Sequence, residues 1–428
     1  MDINIIFTLV PRILPTFMLG IVALLGLLFQ RKPVNEVISG TIKTMAGVLI
    51  LFAAVDLLVA AITPISEHFA QVYQGSGGGT AAVADFTAFL AERGIEVVLI
   101  MVFGFLVNVI LARVTPLKYV FLTGHILFWN AFMVAAALAD GGRITGVPLV
   151  IVGSIVLGII STVLPAIIAP FIFKLTGDRQ FSIGHTTTIH VLIGALLGKL
   201  LGNPNKSTED IEVPKGLGFL KEMVITTSLI MFLLYLIFGL LAGPQWAADT
   251  YTGGQVWIWV FWTLFKGISF GAALVVLLTG VRMMLAEIIP AFHGIAKAIV
   301  PEAVPALDCP MVFPYGQNAL AIGFPIAMIT SLITLVIFNL AGYSYVLFPL
   351  VVAAFFDVGP AAVVANATGG RRGAIIAAAV GGVLLIVLQA FSLPLISNSA
   401  GNFIQLFGGN DFSLIAIVVG GIAKLLGF

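Results

Sequence analysis

The feature that most constrains the fold is a succession of apolar segments, many about 20 residues long and poor in charge. Across 428 residues, 60% are hydrophobic and only 9% are charged, with a mean hydropathy of +1.16. A soluble domain would carry about 25% charged residues. Because a helix needs about 20 apolar residues to cross a bilayer, the sequence predicts an all-α polytopic membrane protein.

The apolar segments predict about 11 transmembrane helices. We place them near residues 7–30, 38–63, 95–113, 118–140, 147–173, 217–241, 254–281, 311–340, 343–358, 373–396 and 411–427. Segments 182–202 and 398–410 are too short or too polar to span, which predicts two re-entrant elements covered by protein. Residues 283–300 carry polar groups, Glu287, His293 and Lys297, beside an apolar face, which predicts an interfacial helix on the membrane surface.

Basic residues predict the orientation of this layout. One side carries 14 of the 20 Lys and Arg residues: Arg31, Lys32, Arg113, Lys118, Lys174, Arg179, Lys206, Lys215, Lys221, Arg282, Lys297, Arg371, Arg372 and Lys424. The other side carries Arg12, Arg93 and Arg143, and spans contain Lys43, Lys199 and Lys266. The positive-inside rule makes the first side cytoplasmic. We therefore expect linker 203–216 and the C-terminus to be cytoplasmic, and loop 73–85 and the N-terminus to be outside.

The order of the segments suggests two halves, 1–214 and 215–428. Five spans and a re-entrant element precede the polar linker, after which the pattern resumes. An odd number of spans inverts the second half, as in carriers built from inverted repeats. Gly40-Thr-Ile-Lys43 and Gly280-Val-Arg-Met283 are a weak echo of such a repeat.

Three polar interruptions stand out from the apolar background. They are LTGH at 122–125, FSIGHTTTIH at 181–190 and LDCP at 307–310. Polar groups at membrane depth must face a cavity or a partner, and ionisable ones commonly mark a functional site. The three interruptions together predict a hydrophilic path through the membrane.

The first interruption places His125 one helical turn before Trp129, so that both share a helix face. An indole can stack on the apolar face of a sugar ring while imidazole nitrogens bond its hydroxyls. The alternative is a histidine hydrogen-bonded to a neighbouring helix for packing. We take His125 and Trp129 as candidate ligand-binding residues.

In the second interruption, His185 follows Gly184 and precedes Thr186, near the tip of a predicted re-entrant element. Glycine permits close backbone approach, and the threonines supply hydroxyls. The alternative is a threonine cap that opens a helix, and both roles are compatible. His190 is a weaker candidate, since it lies further along the helix.

In the third interruption, Asp308 lies between Pro305 and Pro310, which exclude a continuous helix. A carboxylate at a broken membrane helix is a candidate for accepting hydrogen bonds from ligand hydroxyls. The alternatives are a helix cap or a salt bridge to Arg282 or Lys43. The polar lining would be completed by Tyr315, Gln317 and Asn318, whereas Asp56 and Asp357 are interpreted as structural or snorkelling groups near span ends.

Other function classes find no support in the sequence. There is no basic tract for nucleic acid, no Walker loop, and no nucleophile with a plausible base. The five histidines are scattered without ligand spacing, so we predict neither a metal nor another cofactor. The single cysteine, Cys309, points to packing or site lining. We expect no enzymatic activity in this chain.

Six motifs in order resemble the ascorbate-type IIC permease component of the bacterial phosphotransferase system. They are GTIKTMAG (40–47), LTGHILF (122–128), FSIGH (181–185), VRMMLAE (281–287), AFHGI (291–295) and DCPMVF (308–313). The resemblance implies a homodimer in the bacterial cell membrane, with a V-shaped scaffold domain and a core domain bearing two re-entrant hairpins. It also implies elevator-type sugar translocation, with phosphorylation by a separate IIB protein recharged by IIA.

Carried over by motif, the resemblance makes His125, His185 and Asp308 sugar ligands. The chain departs from the ascorbate pattern where Trp129 and Thr186 replace two glutamines, and Gln317-Asn318 replaces Pro-Asn. Loss of site hydrogen-bonding groups changes which ligand is accepted. The substrate is therefore left open among ascorbate, another sugar, a sugar acid and a pentitol.

Two rival functions come from other classes. An ion-coupled secondary carrier would use Asp308 or Glu287 as a proton site. A membrane receptor would use the same pocket without moving the ligand.

Overall fold

The protein is described by a computed structural model covering residues 13–73, 81–140, 144–211 and 222–427. It is almost entirely helical, as predicted. In chain order the elements are α1 (Leu14–Phe29), α2 (Val34–Tyr73), α3 (Phe86–Val114), β1 (Tyr119–Phe121), α4 (Gly124–Ala139), α5 (Gly146–Thr176), β2 (Ser182–Ile183), α6 (Thr188–Leu201), α7 (Met223–Ala242), α8 (Pro244–Thr252), α9 (Val256–Ala298), β3 (Val304–Leu307), a 3₁₀ helix (Cys309–Tyr315), α10 (Gln317–Leu340), α11 (Val351–Ala353), a π turn (Ala354–Val358), α12 (Gly359–Ile396), α13 (Gly401–Phe407), α14 (Asp411–Ile415), a second π turn (Ala416–Gly420) and α15 (Gly421–Leu425).

Six helical segments within the described ranges are long and apolar enough to cross a membrane, or seven with the bent pair formed by α7 and α8. The six are Val34–Ile65, Phe86–Val114, Gly146–Thr176, Val256–Ile288, Gln317–Leu340 and Val351–Ile396. The chain is therefore a multi-pass membrane protein. The prediction of about 11 spans is higher because α4 is only 16 residues long, because α1 is described only from Leu14 onward, and because the helical segment 411–425 is not among the long apolar helices.

Segment Val351–Ile396 reverses direction at Gly370 and forms a helical hairpin. Gly370 has φ +61° and ψ −160°, a conformation open mainly to glycine. Ala361 and Ala377, on opposite sides of this residue, both pack against Gly194 of α6. The 46-residue segment thus supplies two antiparallel arms, each long enough to traverse much of the bilayer.

The turn of this hairpin is covered by the polar linker. Asn203 N donates to Gly369 O at 2.6 Å, and Arg371 N donates to Lys206 O at 2.7 Å. A Cβ at Gly369 would lie 2.1 Å from Gly198 O, so α6 and the hairpin meet backbone to backbone. We call the surface formed by residues 202–211, 316–318 and 369–372 the linker face.

The opposite surface, the loop face, contains residues 81–85, 140, 144–145, 341–345 and 396–402. Ala81 N donates to Ser344 O at 3.0 Å. Asn398 N donates to the Asp140 carboxylate, also at 3.0 Å. These contacts tie loops that are distant in sequence into one surface.

The last helical segment, 411–425, ends at the loop face and does not form the predicted eleventh span. Its start contacts the centre of the molecule, and it runs beside the second arm of α12, with Ser413 bonded to Ser392. Further on, Lys424 lines one small cavity with Asp140 and Asn398. Asp140 belongs to the side predicted to be external, whereas the C-terminus is predicted to be cytoplasmic, and the side of the membrane on which the C-terminus lies stays a prediction.

The predicted interfacial helix 283–300 is also not a separate element. Residues 283–298 continue α9 as one 43-residue helix. Glycines on its neighbours allow close packing: a Cβ at Gly47 would lie 2.8 Å from Met284 N, and one at Gly26 would lie 1.9 Å from Ala291 O. This part of α9 therefore packs against α1 and α2. The side chains of His293 and Lys297 fall outside the described set.

The weak sequence echo lies on two helices that pack antiparallel, α2 and α9. Lys43 Nζ pairs with Glu287 Oε1 at 3.3 Å, and a Cβ at Gly280 would lie 2.7 Å from Leu51 N. Helices α1, α2, α7, α8 and α9 pack as one group, whereas α3–α6, α10 and α12 pack as another.

A small parallel sheet, which no sequence pattern predicted, lies between these elements. The strand order is β1-β3-β2. Tyr119 pairs with Val304, and Ser182 pairs with Ala306. Each strand has only two to four residues, but the sheet sets the position of the residues that come directly after each strand.

We predict that residues 344 and 426 are accessible from one side of the membrane and residue 205 from the other. Single cysteines are introduced as Asn205→Cys, Ser344→Cys and Leu426→Cys in a Cys309→Ser background, because all three sites are exposed and native Cys309 is buried. An impermeant maleimide should label positions 344 and 426 on intact cells, and position 205 only after permeabilisation. Labelling of 426 together with 205 would contradict the position given to the last helix.

Candidate functional site

The three polar interruptions follow the three strands of the parallel sheet. His125 comes four residues after β1 ends, His185 two residues after β2, and Asp308 directly after β3. Carboxyl ends of parallel strands meet at one edge, so the sheet brings together groups that lie in distant parts of the chain. This is why scattered motifs form one site.

The three side chains form a close group. His125 Nε2 lies 3.5 Å from Asp308 Oδ2, and His185 Nε2 lies 3.7 Å from Asp308 Oδ1. Asp308 is also a helix cap, since its Oδ1 accepts from Cys309 N at 2.7 Å. The alternative salt bridge to Lys43 is not formed, because Lys43 pairs with Glu287. Asp308 thus combines the local capping role with a place in the site.

A second carboxylate, Asp357, lies on the other side of His185. Its Oδ1 is 3.2 Å from His185 Nδ1 and accepts from Thr186 Oγ1 at 2.6 Å. Its backbone oxygen accepts from Thr187 Oγ1 at 2.5 Å. The interpretation of Asp357 as a snorkelling group near a span end is wrong: it lies in the buried π turn before α12. The sequence feature that could have pointed to Asp357 is the presence of a carboxylate within a long apolar stretch.

Two re-entrant hairpins meet at this point. The first hairpin, residues 180–202, runs inward through β2 and returns to the linker face as α6; Ser182 Oγ donates to Pro165 O at 2.8 Å, deep along α5. The second hairpin, residues 398–425, enters from the loop face as α13 and returns through α14 and α15. Their tips are residues 184–188 and 408–411.

The tips are joined by hydrogen bonds at the start of α6. Asp411 accepts from Thr188 N at 2.9 Å and from Ile189 N at 3.0 Å. His190 Nε2 contacts Gly409 O at 2.8 Å. The predicted threonine cap of this helix is therefore replaced by a carboxylate from the other hairpin, and His190 joins the hairpins as a structural residue.

All five candidate ligand-binding residues line one cavity of about 230 Å³ between the tips. His125, His185, Thr186 and Asp308 form its polar end, with Asp357 and Asn410 beside them. The remaining wall is largely aromatic and includes Trp129, Phe356, Phe403, Phe407 and Phe412. A polar end facing a ring-lined wall suits a ligand with hydroxyl groups on an apolar ring.

Trp129 is held in this wall by other rings. Its ring centroid lies 5.0 Å from those of Phe128 and Phe403 and 5.7 Å from that of Phe132. Its position, one turn after His125 on α4, agrees with the predicted shared face. The replacement of an amide by indole thus makes one side of the cavity aromatic.

Some expected lining residues lie elsewhere. Tyr315 is 40% exposed at the end of the 3₁₀ helix. Asn318 Nδ2 donates to Thr208 O at 3.2 Å, so it belongs to the linker face. Asp56 is exposed on α2. The 3₁₀ helix carries the chain away from Asp308 and back to the linker face.

A larger cavity of about 820 Å³ lies between α5 and the last helical segment. Its lining is aliphatic apart from Thr145, so it offers few groups for recognising a polar ligand. The smaller cavity has the convergent polar groups expected of a specific site.

Two of the histidines that are scattered in sequence, His125 and His185, lie close enough to Asp308 to bind a metal, so their sequence spacing alone does not exclude one. One ligand atom from each of His125, His185 and Asp308 lies within 4.8 Å of the others. Two imidazoles and a carboxylate are donors that zinc accepts. The same donors also match sugar hydroxyls.

Known proteins are similar to this chain over nearly all of its length. The model of the PTS system sugar-specific permease component matches residues 12–411. The Ascorbate-specific PTS system EIIC component of Mycoplasma pneumoniae is 27% identical over 462 aligned positions, covering 94% of this chain and 68% of the relative. The resemblance inferred from six motifs is confirmed: the chain belongs to the sugar-specific permease (EIIC) family of the phosphotransferase system and is a membrane transport component.

Proposed function

We propose that this chain binds a sugar, sugar acid or pentitol in the cavity between the hairpin tips and carries it inward for phosphorylation by a separate IIB protein, which IIA recharges. The observation that carries this proposal is the cavity itself, where His125, His185 and Asp308 meet at membrane depth. Imidazole nitrogens and a carboxylate supply hydrogen-bond partners for hydroxyls, and the aromatic wall supplies a stacking surface.

The proposed movement is of the elevator type, in a homodimer. Its support is the division of the helices into two packed groups, which suggests a scaffold containing α1, α2, α7 and α9 and a core containing the hairpins. Residues 1–214 and 215–428 remain our proposed repeat halves. The inverted directions of the two hairpins, one from each face, are in keeping with an inverted repeat.

We propose that the linker face is cytoplasmic. Described basic residues at this end include Arg31, Lys32, Arg113, Lys118, Lys174, Arg179, Lys206, Arg371 and Arg372, as the positive-inside rule requires. The N-terminal end of α1 and the last helical segment then both point outside, in the cell membrane of a bacterium.

The rival functions differ in what drives uptake. We expect right-side-out membrane vesicles to accumulate radiolabelled ascorbate or a pentitol as its phosphate only when loaded with phosphoenolpyruvate and the soluble phosphotransferase proteins. Omission of IIB is the control and should abolish accumulation. Uptake driven by an ion gradient alone would instead identify a secondary carrier, and binding without uptake a receptor.

Asp308→Asn and His185→Ala should each weaken substrate binding about tenfold or more. Each variant removes a buried, charge-capable hydrogen-bond partner, and such a bond contributes about 1.5–3 kcal/mol. Binding is measured by calorimetry on purified protein whose folding is checked by thermal unfolding. Asp249→Asn, an exposed carboxylate on α8, is the matched control and should leave affinity unchanged. Native affinity in both site variants would remove these residues from the proposed site.

The native protein should bind ascorbate weakly, and Trp129→Gln combined with Thr186→Gln should improve that binding. The substitutions restore the two amides of the ascorbate pattern in a wall that is now partly aromatic. The gain is expected to be partial, because Thr186 also bonds Asp357 and surrounding groups position each side chain. Calorimetry with ascorbate on both proteins tests this, with Trp129→Phe as the control. Tight binding by the native protein would show that the departures did not change the ligand.

A further inference from the structure

The hydrogen bonds around His185 define which ring nitrogen carries hydrogen. Nδ1 lies 3.2 Å from Asp357 Oδ1 and 3.0 Å from Thr186 Oγ1. The Thr186 hydroxyl donates its own hydrogen to Asp357 Oδ1 at 2.6 Å. Both neighbours of Nδ1 therefore present lone pairs, and Nδ1 must be the donor.

Asp357 is itself held in place. Asn410 Nδ2 donates to its Oδ2 at 2.7 Å, and Thr187 donates to its backbone oxygen. Asn410 cannot exchange the ends of its amide without loss, because Nδ2 also donates to Phe407 O and Oδ1 accepts from Phe412 N, both at 3.1 Å. The polarity of the chain from Asn410 through Asp357 to His185 is thus fixed.

We propose that Asp357 is a positioning residue that holds His185 as a neutral ring with hydrogen on Nδ1 alone, leaving Nε2 as an acceptor that faces the cavity. Nε2 and Asp308 Oδ1 are 3.7 Å apart, too far for a direct hydrogen bond. Two acceptors side by side call for donors from the ligand. A vicinal pair of hydroxyls, one donating to each acceptor, satisfies both; this ligand chemistry rests on the proposed function.

The opposite chemistry fits poorly. A ligand carboxylate directed at this pair would meet only lone pairs, and an ether oxygen would offer a hydrogen to neither acceptor in a largely buried site. The side of the cavity formed by His185 and Asp308 therefore selects for hydroxyl donors. Asp357 determines this selectivity through its contact with Nδ1 of His185, on the other side of the ring from Asp308.

The Asp357→Asn variant keeps the shape of the side chain and changes its hydrogen-bonding groups, so it separates a positioning role from space filling. The amide of the variant must present its oxygen to Asn410 and its NH₂ to His185, because Asn410 is fixed. Hydrogen then moves from Nδ1 to Nε2, and the cavity loses an acceptor. Asp357→Asn combined with Asn410→Asp reverses both partners, so that the new carboxylate accepts from Asn at 357 and the amide oxygen again faces Nδ1, with loss of the bond to Phe407 O.

The decisive measurement is the nitrogen NMR spectrum of ¹⁵N-histidine-labelled, ligand-free protein in lipid nanodiscs, with His185 assigned by its loss in His185→Ala. We expect hydrogen on Nδ1 in the native protein, on Nε2 in Asp357→Asn, and on Nδ1 again in the double variant. Asp249→Asn, which removes an exposed carboxylate on α8, is the control and should leave the tautomer unchanged. Hydrogen on Nε2 in the native protein, or no response to Asp357→Asn, would overturn the proposal.

Affinity provides the second readout. Binding of xylitol and ascorbate, chosen because both carry adjacent hydroxyls, should fall about tenfold or more in Asp357→Asn. It should recover to within about threefold of native in the double variant. Equal loss in both variants would mean that Asp357 only supports the fold. If neither probe binds the native protein, the proposed sugar function fails for them, while the NMR result still decides the role of Asp357.

Discussion

A helix that begins inside a membrane leaves its first N–H groups without partners, and the centre of this protein depends on how those groups are satisfied. Helix α6 begins at Thr188, far from either face. Asp411 accepts hydrogen bonds from the first N–H groups of α6, and it belongs to the hairpin that enters from the opposite face. Each hairpin therefore completes the other, and the cavity exists only where the two tips meet.

The same constraint explains why the site was accessible to sequence reasoning. Polar and helix-breaking residues are costly within apolar segments, so the few that occur mark the places where the chain stops behaving as a simple span. His125, His185 and Asp308 were identified in this way, and the cavity contains all three together with Trp129 and Thr186. The periodicity of α4 also placed Trp129 correctly beside His125.

The features that sequence reasoning missed depend on contacts between distant segments. Strands of two to four residues carry no periodic signal, because their partners lie in distant parts of the chain. The sequence does not distinguish Asp357 from other acidic residues near predicted span ends, because the position of α12 depends on the reversal at Gly370. The last segment has the composition of a span, but hydrogen bonds between Asp411 and both Thr186 and Thr188 hold its start inside the molecule. The number of apolar residues does not show at which depth in the membrane such a helix begins.

The length of α6 sets a distance that the transport cycle has to bridge. Its 14 residues run from the cavity to the linker face, which corresponds to roughly 20 Å at 1.5 Å per residue. Under the proposed function, a folded phosphoryl donor docked on that face would be too wide to follow such a path between packed helices. The bound solute would then have to move through most of this depth. The length of α6 therefore sets the distance over which the binding site has to move.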